Sequence, residues 1–209
     1  MPHDTSVHAI IPLSLLEALR NLDTPVEDGL EELTGEIVAK RLGLSATVTA
    51  QIQRYRSATG RGQRPSADEA VGVFRLVGRR TDAPLVFADA GRRAARHAAR
   101  VSGLRAPGLL KAVPGFLGRA VGRGWARRAA RKVLRAELTV RAGTAEAVVL
   151  EPLSILAVPD GRACAFYGAA LAELLRGLAG FEGAMVHEAC RGRGDAACRW
   201  RGAAMGAYQ

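Results

Sequence analysis

The stretch Cys164–Trp200, CAFYGAALAELLRGLAGFEGAMVHEACRGRGDAACRW, holds all three cysteines of this 209-residue chain, and its reading decides the fold. Its first half is an amphipathic helix: from about Ala163 to Leu178, the residues Cys164, Tyr167, Gly168, Leu171, Leu174, Leu175 and Leu178 recur at helical spacing on one face. Its second half reads as two strands, one before Cys190 and one after Ala197, joined by a turn through Gly192 to Asp195. Just upstream the period is two, with Leu138 and Val140 alternating with polar neighbours. Gly143 offers a turn there, and Val148 to Leu150 supply a second short apolar run, which together describe a hairpin.

Further out, the N-terminal part is helical. Ile11, Leu13, Leu15, Leu16, Leu19 and Leu22 give a dense apolar face that breaks at Thr24 and Pro25, and a second helix is predicted through Leu33, Ile37 and Leu42. Gly60, Gly62 and Pro65 mark an exposed connection, after which Ser66 and Glu69 have the spacing of a capping box ahead of Val71, Phe74 and Val77. Two or three further helices follow, punctuated by Gly103, by Pro107 with Gly108, and by Pro114 with Gly115. Helices first, then two strands, a helix and two strands, give an α+β class in which a helix-rich part, residues 1–136, packs with a small antiparallel sheet in residues 137–205 of the same domain.

The chain carries a formal charge of +10, and 48% of it is apolar, enough for a real core. The charge is unevenly placed. Between Asp89 and Glu137 there is no acidic residue, while Arg92, Arg93, Arg96, Arg100, Arg105, Lys111, Arg119, Arg123, Arg127, Arg128, Arg131, Lys132 and Arg135 crowd in. Such a field attracts nucleic-acid phosphate, an anionic membrane surface, an acidic partner or a ligand carboxylate. A plainer reading stands beside these, in which a composition rich in Arg, Ala and Gly has placed arginines on solvated helix faces. The sequence has no uncharged apolar run of bilayer length, and Asp4 and Glu17 stand where a secretory leader would carry basic and then apolar residues, so a soluble, cytoplasmic protein is expected.

An odd cysteine count argues against a disulfide framework and leaves metal ligation or simple burial. His187 and Cys190 are separated by two residues, Cys198 lies across a glycine-containing loop, and Cys164 precedes them by one helix. A set of three thiolates and one imidazole suits tetrahedral zinc with no spare position, which is the pattern of a structural site. Strict alternation along a strand would point His187 and Cys190 to opposite faces, so a bulge or turn is required before both face one ion. Plain burial, with Cys164 in the helix core and the other two cysteines half-buried in strands, is the competing reading.

The same stretch resembles the vinyl-4-reductase domain family: a cysteine opening an amphipathic helix, a strand ending in a ligand, then a cysteine, a glycine-containing loop and a final cysteine followed by an aromatic. Within that family the likeness is greatest to the bacteriochlorophyll 4-vinyl reductase type. The helix opening on Cys164, with Phe166, Tyr167 and Gly168, supports this, as do the overall length and the helical first half. The specific motif covers only the last quarter of the chain. The resemblance implies a fold like that of the Golgi-transport and nitric-oxide-signalling ligand-binding proteins, pairing of copies through N-terminal helices, and a structural zinc site beside an apolar ligand pocket. Relatives that sense phenols hold zinc with three cysteines and a glutamate. Here His187 takes the glutamate's place, with Glu188 as the substitute if the register differs by one.

The reductase label asks for an electron source, and none is legible. Gly60 with Gly62 and Gly192 with Gly194 lack the third glycine and the βαβ setting of a dinucleotide site, and three cysteines are too few for an iron–sulfur cluster. No catalytic residue is assigned: His97 lies in the arginine-rich helix and reads as a solvated or core histidine rather than a general base. Whether the chain catalyses anything is therefore open. The expected function is binding or carriage of a chlorophyll precursor or another apolar small molecule, assisting vinyl reduction in bacteriochlorophyll biosynthesis beside the pigment-biosynthesis enzymes. Arginines would meet the ligand's carboxylates. Trp125, Tyr167 and Phe116 are candidates to line the pocket, against the commoner role of such aromatics as core. A ligand-sensing regulatory domain is the alternative, and direct nucleic-acid binding is not expected, since no helix-turn-helix can be placed.

Overall fold

The computed structural model describes residues 6–24, 42–101, 115–141 and 143–203, without the side chains of 115–117, 119 and 203. Helix α1 (Ile10–Asp23) is apolar around most of its circumference and lies inside the helical layer, with Ile10, Ile11, Leu13, Leu15, Leu16 and Leu19 all buried. It stops at Thr24, whose ψ of 121° is the extended conformation a following proline imposes. The helix predicted through Leu33 and Ile37 lies outside the described residues, as do Gly103, Pro107, Gly108 and Pro114; Leu42 opens a single 3-10 turn, Leu42–Leu44. Ser45 caps α2 (Ala46–Gly60) by accepting from the Val48 N–H, and Ser66 caps α3 (Ala67–Gly78) by accepting from the Glu69 N–H at 3.2 Å. The capping box is only half formed. The Glu69 carboxylate turns instead to the Arg54 guanidinium at 2.8 Å and the Tyr55 hydroxyl at 3.2 Å, two donors in place of one backbone N–H.

Among the described residues, two helices from the basic stretch follow, α4 (Ala83–Val101) and α5 (Gly115–Ala129). The second runs into a π-helical turn, Ala130–Leu134, that ends at Arg135 in the left-handed conformation. Strands β1 (Glu137–Arg141) and β2 (Thr144–Val149) form the expected hairpin around Gly143, whose φ of +75° suits glycine. Next come a short helix the sequence pattern did not reveal, α6 (Leu153–Ala157), then α7 (Ala165–Ala179), β3 (Met185–Ala189) and β4 (Cys198–Ala203). The class is α+β: seven α-helices among the described residues and a four-stranded antiparallel sheet in the order β1-β2-β4-β3. One sheet face, with Leu138, Val140, Ala145, Ala147 and Val149, is buried against the helices, while Thr139, Arg141, Glu146, Arg199 and Arg201 point outward. No helix among the described residues is long and apolar enough to cross a membrane.

Helix α7 is the centre of the packing, and two glycines let its neighbours reach its backbone. A Cβ on Gly91 of α4 would lie 2.2 Å from the Phe166 carbonyl oxygen, and one on Gly122 of α5 would lie 1.7 Å from that of Leu178. Side chains continue the contact as an aromatic chain. Phe87 stacks on Phe74, Phe74 meets Phe166 edge-on, Phe166 meets Tyr167 edge-on, and Tyr167 lies 5.7 Å from Trp200. One buried cluster thus runs from α1 to β4, so the change from helices to strands near residue 136 is a change of element and not of core.

Alanine substitution separates these roles by sign. A Cβ added at Gly124 of α5 or at Gly177 of α7 would meet nothing within 4 Å, so Gly124→Ala and Gly177→Ala are expected to stabilise by up to about 1 kcal/mol through helix propensity. Gly91→Ala and Gly122→Ala are expected instead to destabilise by about 1–3 kcal/mol through overpacking, as read by urea unfolding.

Candidate metal centre

The strand carrying His187 is paired in register with β4, His187 opposite Trp200, but Ala189 is opposite Arg199, so Glu188 is an extra residue and forms a bulge. That bulge is the device the spacing required. It lets His187 and Cys190 share the inner side of the sheet, while Glu188 points out with its carboxylate 3.6 Å from Arg201. Beyond Cys190 the chain makes a 3-10 turn, Arg191–Arg193, closed by Gly194 at φ +94°. Asp195 holds the turn from within by accepting the Cys190 N–H at 2.7 Å. The turn returns the chain to Cys198 at the start of β4, and Cys164, in the 3-10 turn that leads into α7, completes the group.

The ligand atoms of Cys164, His187, Cys190 and Cys198 all lie within 4.8 Å of one another. Cys198 Sγ is 3.9 Å from both Cys164 Sγ and Cys190 Sγ. Zinc–sulfur bonds of about 2.3 Å in a tetrahedron put sulfurs about 3.8 Å apart, so the spacing matches the edge of a metal–thiolate tetrahedron. The three thiols are 0–2% exposed. His187 is half-buried, its ring stacked on Trp200 at 4.6 Å, and its Nε2 is buried without a hydrogen-bond partner. A buried imidazole nitrogen with no partner carries a desolvation cost that a bound cation would offset.

Surrounding groups favour sulfur anions. The Arg191 N–H donates to Cys198 Sγ at 3.4 Å, and the buried Ser154 hydroxyl lies 3.3 Å from Cys164 Sγ. Gly161, at φ +83°, passes so close that a Cβ there would sit 2.8 Å from Cys190 Sγ. Gly192 is held as tightly against the Pro159 carbonyl, 2.1 Å from a Cβ position, which locks the α6–α7 connection to the β3–β4 turn. Ser154, Gly161 and Asp195 escaped the sequence reading because each acts on the site across a chain reversal. Asp195, inside the predicted turn, had the clearest local signal, since Asp side chains commonly bind nearby backbone N–H groups in turns.

Without a metal the surroundings of Cys164, Cys198 and His187 favour their neutral forms. Burial, with smaller contributions from the neighbouring sulfurs, pushes the Cys164 thiol well above its ordinary value, and burial does the same to Cys198. Burial and the nearby Arg193 charge hold the His187 imidazole below its usual range. Four side chains named from sequence therefore converge on a site that can hold a metal ion.

The other residues singled out from sequence are dispersed. Tyr167 is core, 1% exposed, its hydroxyl accepting the Leu153 N–H, and so does not line an open pocket. Trp125 is half-buried on α5, and the Phe116 side chain lies outside the described residues. His97 is neither simply solvated nor core: its Nε2 lies 2.9 Å from the Glu17 carboxylate. Comparison with known proteins returned no matching family model, curated protein or solved structure.

The thiol shifts fix a sign. A thiol whose folded value is raised contributes stability that is fully present below its ordinary value of about 9 and is lost as the pH climbs through the raised value. The metal-free chain is therefore expected to lose stability on going from neutral to strongly alkaline solution. Conversion of Cys164 and Cys198 to Ser should reduce that loss, as read by urea unfolding in the presence of a chelator.

Proposed function

We propose that this chain is a small-molecule-binding domain whose C-terminal half is tied together by a structural zinc ion held by Cys164, His187, Cys190 and Cys198. The observation that carries the reading is the donor set, three buried thiols and one half-buried imidazole converging with no carboxylate among them. Such a set suits zinc, and four protein ligands leave no open position at which water or a carbonyl could be activated. When bound, the ion would supply cross-linking: it would join the start of α7, the end of β3 and the start of β4. The chain's own groups do the rest. Ser154 and the Arg191 N–H stabilise thiolates, Trp200 orients the His187 ring, and Gly161 and Gly192 admit the close approach of the loops.

The ligand we propose is a chlorophyll precursor, carried or presented for vinyl reduction in bacteriochlorophyll biosynthesis. The resemblance of the Cys164–Trp200 stretch to the vinyl-4-reductase domain supports this, together with an arginine-rich chain able to pair with a pigment's carboxylate edge. In this reading the protein binds pigment and leaves the electron transfer to a partner enzyme.

Two measurements test the two parts. Elemental analysis of the purified chain should find about one zinc per chain. Removal of the ion should lower Tm by roughly 10 °C relative to protein with free zinc at about a thousandfold over its Kd, and Cys190→Ser should abolish the difference. An absorbance titration with divinyl protochlorophyllide, with no reductant present, should saturate near one pigment per chain with a shifted spectrum and unreduced pigment. No binding would overturn the pigment assignment while leaving the zinc result standing.

A further inference from the structure

The structure splits the arginine-rich stretch into groups with different tasks. Arg127 donates to the Val140 carbonyl and Arg135 to that of Ser6, so these two fasten α5 and its π turn to neighbouring backbone. Arg93, Arg96 and Arg100 recur on one face of α4, together with His97, and face a cleft of about 520 Å³. Across it stand Arg20 of α1 and Arg56 of α2, which lie outside the basic stretch and could not be grouped with it from sequence.

The charges in this cleft do not balance. Glu17 holds Arg56 at 2.9 Å and His97 at 2.9 Å, Asp89 holds Arg93 at 2.7 Å, and Glu173 lies 3.6 Å from Arg96. Arg20 and Arg100 have no carboxylate partner among the described residues, so the five guanidiniums that line the cleft are met by three carboxylates. Glu17 is fixed, its side chain only 10% exposed, and it orients Arg56 and His97 from one side. Gathering like charges in a recess costs self-repulsion, and a concave site lined by one sign of charge concentrates ions of the other.

We infer that the cleft between α1, α2 and α4 binds a small, multiply charged anion bearing phosphate or carboxylate groups. Guanidinium forks match both groups bidentately, and the volume falls in the range of small-molecule sites. The guanidiniums, mostly exposed, come from three helices and line one cleft. This favours a small ligand over a nucleic-acid backbone, which would be met more readily by arginines strung along one face. The inference is independent of the pigment reading, and its probes carry no macrocycle.

The test is calorimetric titration of the full chain with inorganic pyrophosphate and, separately, with citrate, at matched ionic strength so that general screening is constant. Saturable binding near one per chain is expected for at least one of them. Pyrophosphate alone would assign the phosphate class and citrate alone the carboxylate class. Arg20→Gln and Arg100→Gln remove charges that have no carboxylate partner among the described residues, so neither should melt below the parent chain and both should weaken binding roughly tenfold or more. Arg141→Gln, on the outer face of the sheet, should leave binding unchanged. Absence of saturable binding for both anions would overturn the inference. So would equal weakening by Arg141→Gln, or tight binding of a random-sequence oligonucleotide by a chain that ignores pyrophosphate and citrate.

Discussion

The close approach of α4 and α5 to the backbone of α7 is the constraint on which the rest of this structure depends. Gly91 and Gly122 carry no side chain at the two places where neighbouring helices meet the Phe166 and Leu178 carbonyls, so α7 is held from both sides along its length. With α7 fixed, its face of Phe166, Tyr167, Ala170, Leu171, Leu174 and Leu175 becomes the surface on which the sheet and the other helices close. Helix contacts made through backbone leave little room for sliding, because any shift must open a gap or force a clash in a core packed to crystal-like density. The N-terminus of α7 is thereby a firm platform for Cys164.

The cysteine–histidine group rests on that platform. Its other three members come from the β3–β4 unit, whose position over α7 is set by Trp200, packed against Tyr167 on one side and His187 on the other. An aromatic chain thus links the helical core to the imidazole, and the bulge at Glu188 turns that imidazole to the same side as Cys190. Burial raises the Cys164 and Cys198 thiols, so a metal ion taken up here would displace their protons.

Arginine plays three physical roles here that composition alone merges into one net charge. Some guanidiniums fasten loops by donating to backbone carbonyls, as Arg191 does to Leu150 and Arg193 to Glu188 around the metal centre. Others pair on the outer surface, where Arg201 lies between Glu146 and Glu188, an arrangement worth little energetically because water screens it. A third group, on α1, α2 and α4, shares one recess.

What the sequence by itself determined was whatever rests on local spacing. The alternation around Leu138 and Val140, the helical face from Cys164 to Leu178 and the cap at Ser66 follow from side chains close together along one or two elements, and the choice of Cys164, His187, Cys190 and Cys198 follows from residue type within the single stretch Cys164–Trp200. Only the tertiary structure decided the strand order, with β4 placed between β2 and β3, the existence of α6, and the assembly of Arg20 and Arg56 with Arg93, Arg96 and Arg100. It also decided that Tyr167 is core and that Gly91 and Gly122 are contact points. These depend on groups far apart in the chain meeting across a packed interface, and hydrophobic periodicity specifies which face of an element is buried but not which partner it is buried against.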